Sequence, residues 1–169
     1  AIVDEIKKNR KLVGTGTGFL VDRNYIITAD HVVAGCSEVT VRHKHKEYFT
    51  DVAARDSSND LGLLRLEERF SNTAKLRGGK AIRLGEVIST YGYPLFGELS
   101  DSAKITQGNI NSLAGHKNHS GHFQYDAPSQ FGNSGGPVLD AAANVAGVVR
   151  SKMDDSKKTQ AVNFAVKAY

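Results

Sequence analysis

A chain of 169 residues is long enough for one domain or two small packed halves with a sizeable core. Its 40% hydrophobic and 24% charged composition excludes a disordered chain, and no apolar run approaches the ~20 residues a membrane-spanning helix needs. The net charge of +4 comes from short basic clusters at Lys7–Lys11, His43–Lys46 and Lys157–Lys158 without interleaved aromatics, so a solvated basic face is expected and no nucleic-acid partner.

In chain order, Ile2–Ile6 reads as a first strand and Gly14–Asp22 as a glycine-led strand entry. It is not a phosphate loop, because neither Gly-Lys-Ser/Thr nor a helical pattern follows. Asp22–Asn24 is a turn by composition, and Tyr25–Ala29 completes a hairpin. Asp30–Gly35 suits a single helical turn with an aspartate cap and a glycine stop. Further strands are expected at Glu38–Arg42, Tyr48–Ala54, Leu61–Glu67, Ala81–Leu84, Val87–Tyr91, Ala103–Leu113, His122–Asp126, Pro137–Leu139, Val145–Arg150 and Ala161–Val166. Many short strands with turn signals between them, and no long amphipathic helix, indicate an all-β barrel or sandwich. Asn72–Lys80, polar and carrying Gly78-Gly79, is the expected junction between two halves.

Three segments carry chemistry. In Phe131–Pro137 three glycines surround Ser134, as a nucleophile on a sharp turn requires if backbone N–H groups are to face a developing oxyanion. In Ile26–Val33 a histidine, His31, follows a buried strand. In Asp56–Leu66 an aspartate, Asp60, precedes a strand of large aliphatics. Alone, the last two are weak signals. Together they are stronger: the three fall in the order His31, Asp60, Ser134, each at the edge of a strand or turn.

With these residues in view the chain resembles the chymotrypsin-fold serine proteases, and within them the protease domain of the HtrA/Deg branch. Gly16–Val21, Ile26–Val33, Asn59–Leu64, Thr106–Ile110, Gly132–Pro137 and Val162–Val166 carry the resemblance. It implies an all-β fold of two six-stranded antiparallel barrels, one about 1–76 and the other about 80–169, in a single protease domain. It further implies a Ser-His-Asp triad of Ser134, His31 and Asp60 and an oxyanion hole at Gly132, Asn133 and Ser134, through the N–H groups of Gly132 and Ser134. The specificity pocket would be built from Pro128, Ser129, Gln130, Val148, Val149, Arg150, Ser151 and Asn163. No cofactor is expected, and the partners are polypeptide substrates. Relatives of this branch work in the bacterial periplasm or another exported compartment, often as trimers and with a PDZ module after the protease domain. Here a monomer is as compatible as a trimer, and no PDZ module is expected before Tyr169.

The pocket segments hold no aspartate to balance a cationic side chain, so cleavage after small or medium apolar residues is expected, with acidic specificity the alternative should Arg150 turn inward. A catalytically silent binding module is the rival from another class. Asn133 is uncharged where a docked terminal ammonium would need a carboxylate, so activation by docking of Ala1-Ile2-Val3 is not expected. His116, His119 and His122 are spaced by three in a glycine- and asparagine-bearing stretch, Leu113–Gly121 and beyond. A solvated, mobile loop is expected there rather than a metal site. The single cysteine, Cys36, excludes an internal disulfide and is expected to be a small buried apolar side chain.

Overall fold

A computed structural model describes residues 14–44, 46–94, 102–150 and 162–169. Strands β1 (Phe19–Asp22) and β2 (Tyr25–Thr28) form the expected hairpin, and helix α1 (Asp30–Val33) follows as a single turn. Strands β3 (Val39–His43), β4 (Lys46–Asp56) and β5 (Leu61–Leu66) complete a sheet of order β1-β2-β5-β4-β3. Alternation along β2 and β5 turns Ile26, Leu64 and Leu66 inward, where they pack with Val33 and Tyr48.

The second half contains β6 (Val87–Gly92), β7 (Lys104–Ser112), a 3-10 turn at His116–Asn118, β8 (His122–Tyr125), β9 (Pro137–Leu139), β10 (Val145–Val149) and β11 (Asn163–Lys167). These six strands close into a barrel of order β10-β11-β8-β7-β6-β9. Its core is Ile88, Ile110, Phe123, Tyr125, Val138 and Val149 with smaller residues between them. Each such large side chain stabilises the fold by about 1.5–3 kcal/mol relative to its exposed state. All five residues of β10 are buried, so its sequence lacks alternation.

The all-β, chymotrypsin-like expectation agrees with this architecture, with differences of detail. Among the described residues the first half is a five-stranded sheet, where a six-stranded barrel was expected. The strand expected at Ile2–Ile6 lies outside the described residues. Ala81–Leu84 is irregular although Ile82 is buried, because Arg77 donates to the Lys80 and Ala81 carbonyls that a ladder would use. Asp30 is not the helix cap. Ala29 holds that position, and the Asp30 carboxylate receives Arg55 Nε at 2.5 Å and Nη2 at 3.1 Å. Cys36 is half-buried rather than buried, its thiol directed at the Val32 carbonyl at 3.7 Å.

The junction behaves as a stitch between the halves. Ala74 N–H donates to Leu20 O in the first sheet, while Lys75 O and Arg77 N–H bond Val145 in the second. Of the histidine run, His116 and His119 are exposed, as expected of a solvated loop, while His122 is only 1% exposed at the start of β8, with His119 stacked on it at 4.0 Å. Among the described residues no helix is long and apolar enough to cross a membrane.

Candidate active site

Asp60 and His31 meet at the end of the first sheet. β2 runs into Ala29 and the one-turn helix α1, which presents His31. The turn before β5 presents Asp60 with φ of 58°, a left-handed conformation that costs a non-glycine residue strain and that aspartate tolerates better than most. His31 Nδ1 lies 2.9 Å from both Asp60 oxygens, and the His31 backbone N–H donates to Oδ1, also at 2.9 Å. An ionised carboxylate only accepts, so Nδ1 carries the ring proton and Nε2 keeps a free lone pair. The imidazole is 43% exposed and the carboxylate 10%.

Burial alone would raise the Asp60 pKa. The ring and backbone bonds from His31, its partial charge and the Arg150 guanidinium outweigh burial, and the pKa is lowered below the usual carboxylate value. Asp60 is therefore held as an anion.

The Ser134 turn comes from the second barrel. Gly132 and Gly135 take φ of 95° and 83°, which an L side chain rarely adopts. A Cβ at Gly135 would stand 2.4 Å from Thr17 O, 2.4 Å from Thr28 Oγ1 and 2.5 Å from Ala29 N. The turn thus lies against the very segment that leads into His31. On its other side Gly135 N–H donates to Val149 O and Val149 N–H to Gly136 O, each at 2.8 Å, pinning the turn to β10.

Thr17 completes this clamp. Its N–H donates to Ser134 O at 2.8 Å, its hydroxyl donates to Gly132 O at 2.6 Å and accepts from Tyr93 N–H at 3.0 Å, and its carbonyl accepts Thr28 Oγ1 at 2.7 Å. The sequence marks Thr17 only as a threonine between two glycines in a strand entry. Its role comes from contacts more than a hundred residues away.

Asn133 N–H closes the turn onto Gln130 O at 3.1 Å. Among the described residues no acceptor engages the N–H of Gly132 or Ser134. Asn133 itself is buried, its side-chain nitrogen 3.5 Å from Ser129 Oγ, and a Cβ at Gly92 would strike its Oδ1.

The segment before the turn is anchored as one wall. Thr106 Oγ1 donates to Pro128 O at 2.7 Å, and buried Asn163 donates to Ala127 O at 2.8 Å. Pro128 and Gln130 are exposed and Ser129 is buried. Val148 and Val149 are buried in β10, and Ser151 lies outside the described residues, as do Ala1–Val3. Arg150 turns towards Asp60, with Nε 3.6 Å from Oδ2. Among the described residues no group of three histidine, cysteine or carboxylate side chains could hold a metal ion.

Comparison with known proteins fits this geometry. The family of trypsin-like peptidase domains matches residues 16–148. The chain is similar to y4bJ of Sinorhizobium fredii, 39% identical over 90% of this chain and 25% of that protein. It is likewise similar to a probable periplasmic serine endoprotease, DegP-like, of Hahella chejuensis, 30% identical over 90% of this chain and 33% of that protein. Among solved structures, an inactive mutant form of Rv3671c from M. tuberculosis is 26% identical with a TM-score of 0.77, covering 94% of this chain and 78% of that one. The chain spans a quarter to a third of the length of the first two relatives.

Proposed function

The chain belongs to the family of trypsin-like peptidase domains, and on that premise we propose that it is a serine endopeptidase whose triad is Ser134, His31 and Asp60. The observation that carries the reading is the Nδ1–carboxylate contact of 2.9 Å beside a serine turn packed on the same Thr28–Ala29 segment. Ser134 Oγ adds to the scissile carbonyl carbon as its proton passes to His31 Nε2. The tetrahedral oxyanion forms between the N–H groups of Gly132 and Ser134. The imidazolium, stabilised by Asp60, returns the proton to the departing amine. Water then repeats the sequence on the acyl-enzyme and frees the acid product. No cofactor enters these steps.

The substrates are extended or unfolded polypeptides cleaved after small or medium apolar residues. The wall of Pro128, Ser129, Gln130 and Asn163 carries no charge, Val148 and Val149 are apolar, and the Arg150 charge is directed at Asp60 rather than at an incoming carboxylate. Asn133 has no charge with which to hold a terminal ammonium, so activity is independent of Ala1–Val3. The two halves are taken as about 1–76 and about 80–169, and an exported compartment such as the periplasm is the working place, following the relatives named periplasmic.

A panel of peptides with Val, Ala, Glu or Lys before the cleaved bond tests the reading. Turnover of Val and Ala peptides, abolished in Ser134→Ala, is expected. Preferred cleavage after Lys refutes the pocket assignment, and no turnover together with no reaction with a fluorophosphonate refutes the enzyme.

A further inference from the structure

Arg150 is the first residue after β10, and its backbone N–H donates to Phe164 O at 2.9 Å, so the root of its side chain is fixed between β10 and β11. From there the guanidinium crosses to the first sheet, where Nε stands 3.6 Å from Asp60 Oδ2. Its Nη1 lies 3.4 Å from His122 Nδ1. A guanidinium only donates, so His122 Nδ1 accepts and the proton of that ring sits on Nε2. His122 is buried and carries His119 stacked on its outer face. The cation is therefore held between a carboxylate in front and a neutral imidazole behind.

Resting on the triad reading above, we propose that Arg150 is a positioning residue: its guanidinium, backed by neutral His122, holds the Oδ2 side of Asp60 and sets the field that His31 feels. Oδ1 of Asp60 already receives the His31 backbone N–H. A cation at Oδ2 leaves the carboxylate no freedom to rotate away from the imidazole. It also cancels part of the negative potential that Asp60 exerts on the imidazole.

The other charges facing this network are accounted for. Asp30, beside His31 on α1, is paired with Arg55 of β4. Burial most of all, then His119, Arg150 and Lys167 of β11, disfavour protonation of His122, while Asp60 favours it. The His122 pKa is lowered to about 4, so the ring remains a neutral acceptor above that pH. Protonating it would put two cations face to face and push Arg150 off Asp60.

The test is the titration of His31, followed by NMR of histidine-labelled protein, in the wild type, Arg150→Gln and Arg150→Lys, with activity measured in parallel. In Arg150→Gln the midpoint of His31 rises by roughly half to one pH unit. The acid limb of kcat/KM moves up with it, and kcat on Ala and Val peptides falls at unchanged KM. Arg150→Lys, which keeps the charge, returns the midpoint to near the wild-type value. A His31 midpoint that is the same in all three proteins overturns the inference, as does an Arg150→Gln effect confined to KM for Glu peptides, which would make Arg150 a receptor for substrate carboxylates. If Arg150→Gln does not fold, Arg150→Lys alone decides: a midpoint displaced as far as half a pH unit contradicts a role that depends on charge. The readouts separate this inference from the one beneath it. A flat midpoint in protein that reacts with a fluorophosphonate at Ser134 removes the Arg150 role and leaves the protease standing. A shifted midpoint in protein that does not react keeps the Arg150–Asp60 coupling and removes the protease.

Discussion

The two halves of the molecule hold their parts of the site by different means. The closed barrel fixes the Ser134 turn through backbone bonds and close approach: two bonds to β10, two to Thr17, and Gly135 at positive φ where a Cβ would collide. The five-stranded sheet holds His31 and Asp60 through side chains, with one helical turn, a carboxylate bonded to an imidazole, and the Arg55–Asp30 ion pair beneath it. Ser134 is thus set by geometry that tolerates almost no substitution. His31 is set by charge, and charge can be tuned by neighbours such as Arg150.

The largest effects come from removing the groups themselves. Ser134→Ala or His31→Ala lowers turnover on the order of 10⁴-fold or more, as loss of a triad member does in serine proteases generally, and Asp60→Asn does so by leaving His31 the wrong tautomer. Steady-state assays on an Ala peptide measure all three. If Asp60→Asn kept more than a tenth of the activity, the charge-based half of the comparison would break.

Next come the supports of the turn. Gly135→Ala places a Cβ 2.4 Å from Thr17 O and forces φ of 83° on an L residue, so activity falls at least about 100-fold, through loss of the oxyanion donors, with a lower Tm. Thr17→Val keeps the volume but removes the hydroxyl that serves Gly132 O and Tyr93 N–H. The stability cost is about 1–3 kcal/mol, read by denaturant unfolding, and activity drops with it. An unchanged midpoint in Thr17→Val would show that the clamp does not hold the two halves together.

The last effect, of the same order as the loss of the Thr17 hydroxyl, is a pH dependence. The folded pKa of His122, about 4, lies below the 6.5 of an unfolded histidine, so the unfolded chain binds the proton first as pH falls. The stability due to the neutral ring is complete above pH 6.5, is lost progressively between 6.5 and about 4, and amounts to at most about 3 kcal/mol. Asp60 acts in the same direction at lower pH: its depressed pKa stabilises the fold above the unfolded carboxylate value, and that contribution disappears as pH falls through the folded one. His122→Phe removes the loss between pH 6.5 and 4 and leaves the lower one. Equal acid sensitivity in the variant would show that His122 is not the group responsible.

The sequence is legible where local chemistry dictates local structure. The hairpin at Asp22–Asn24 and the strand Pro137–Leu139 follow from turn residues and β-branched runs, and the glycines around Ser134 announce a turn no other residue could make. It is illegible where distant partners decide. Ala81–Leu84 reads as a strand because nothing in it foretells that Arg77 takes the Ala81 carbonyl and that of Lys80 before it. Asp30 reads as a cap because its partner Arg55 is 25 residues away. Thr17, His122 and the turn of Arg150 towards Asp60 belong to the same class: each is polar, and each acquires its meaning only from tertiary contacts.

The most direct measurement of the central claim is reaction with a fluorophosphonate, followed by peptide mapping, in the wild type, His31→Ala and Ser134→Ala. Phosphonylation of Ser134 alone in the wild type, greatly slowed in His31→Ala and absent in Ser134→Ala, is the predicted result. An unmodified wild-type protein, or modification at any other residue, would contradict the account.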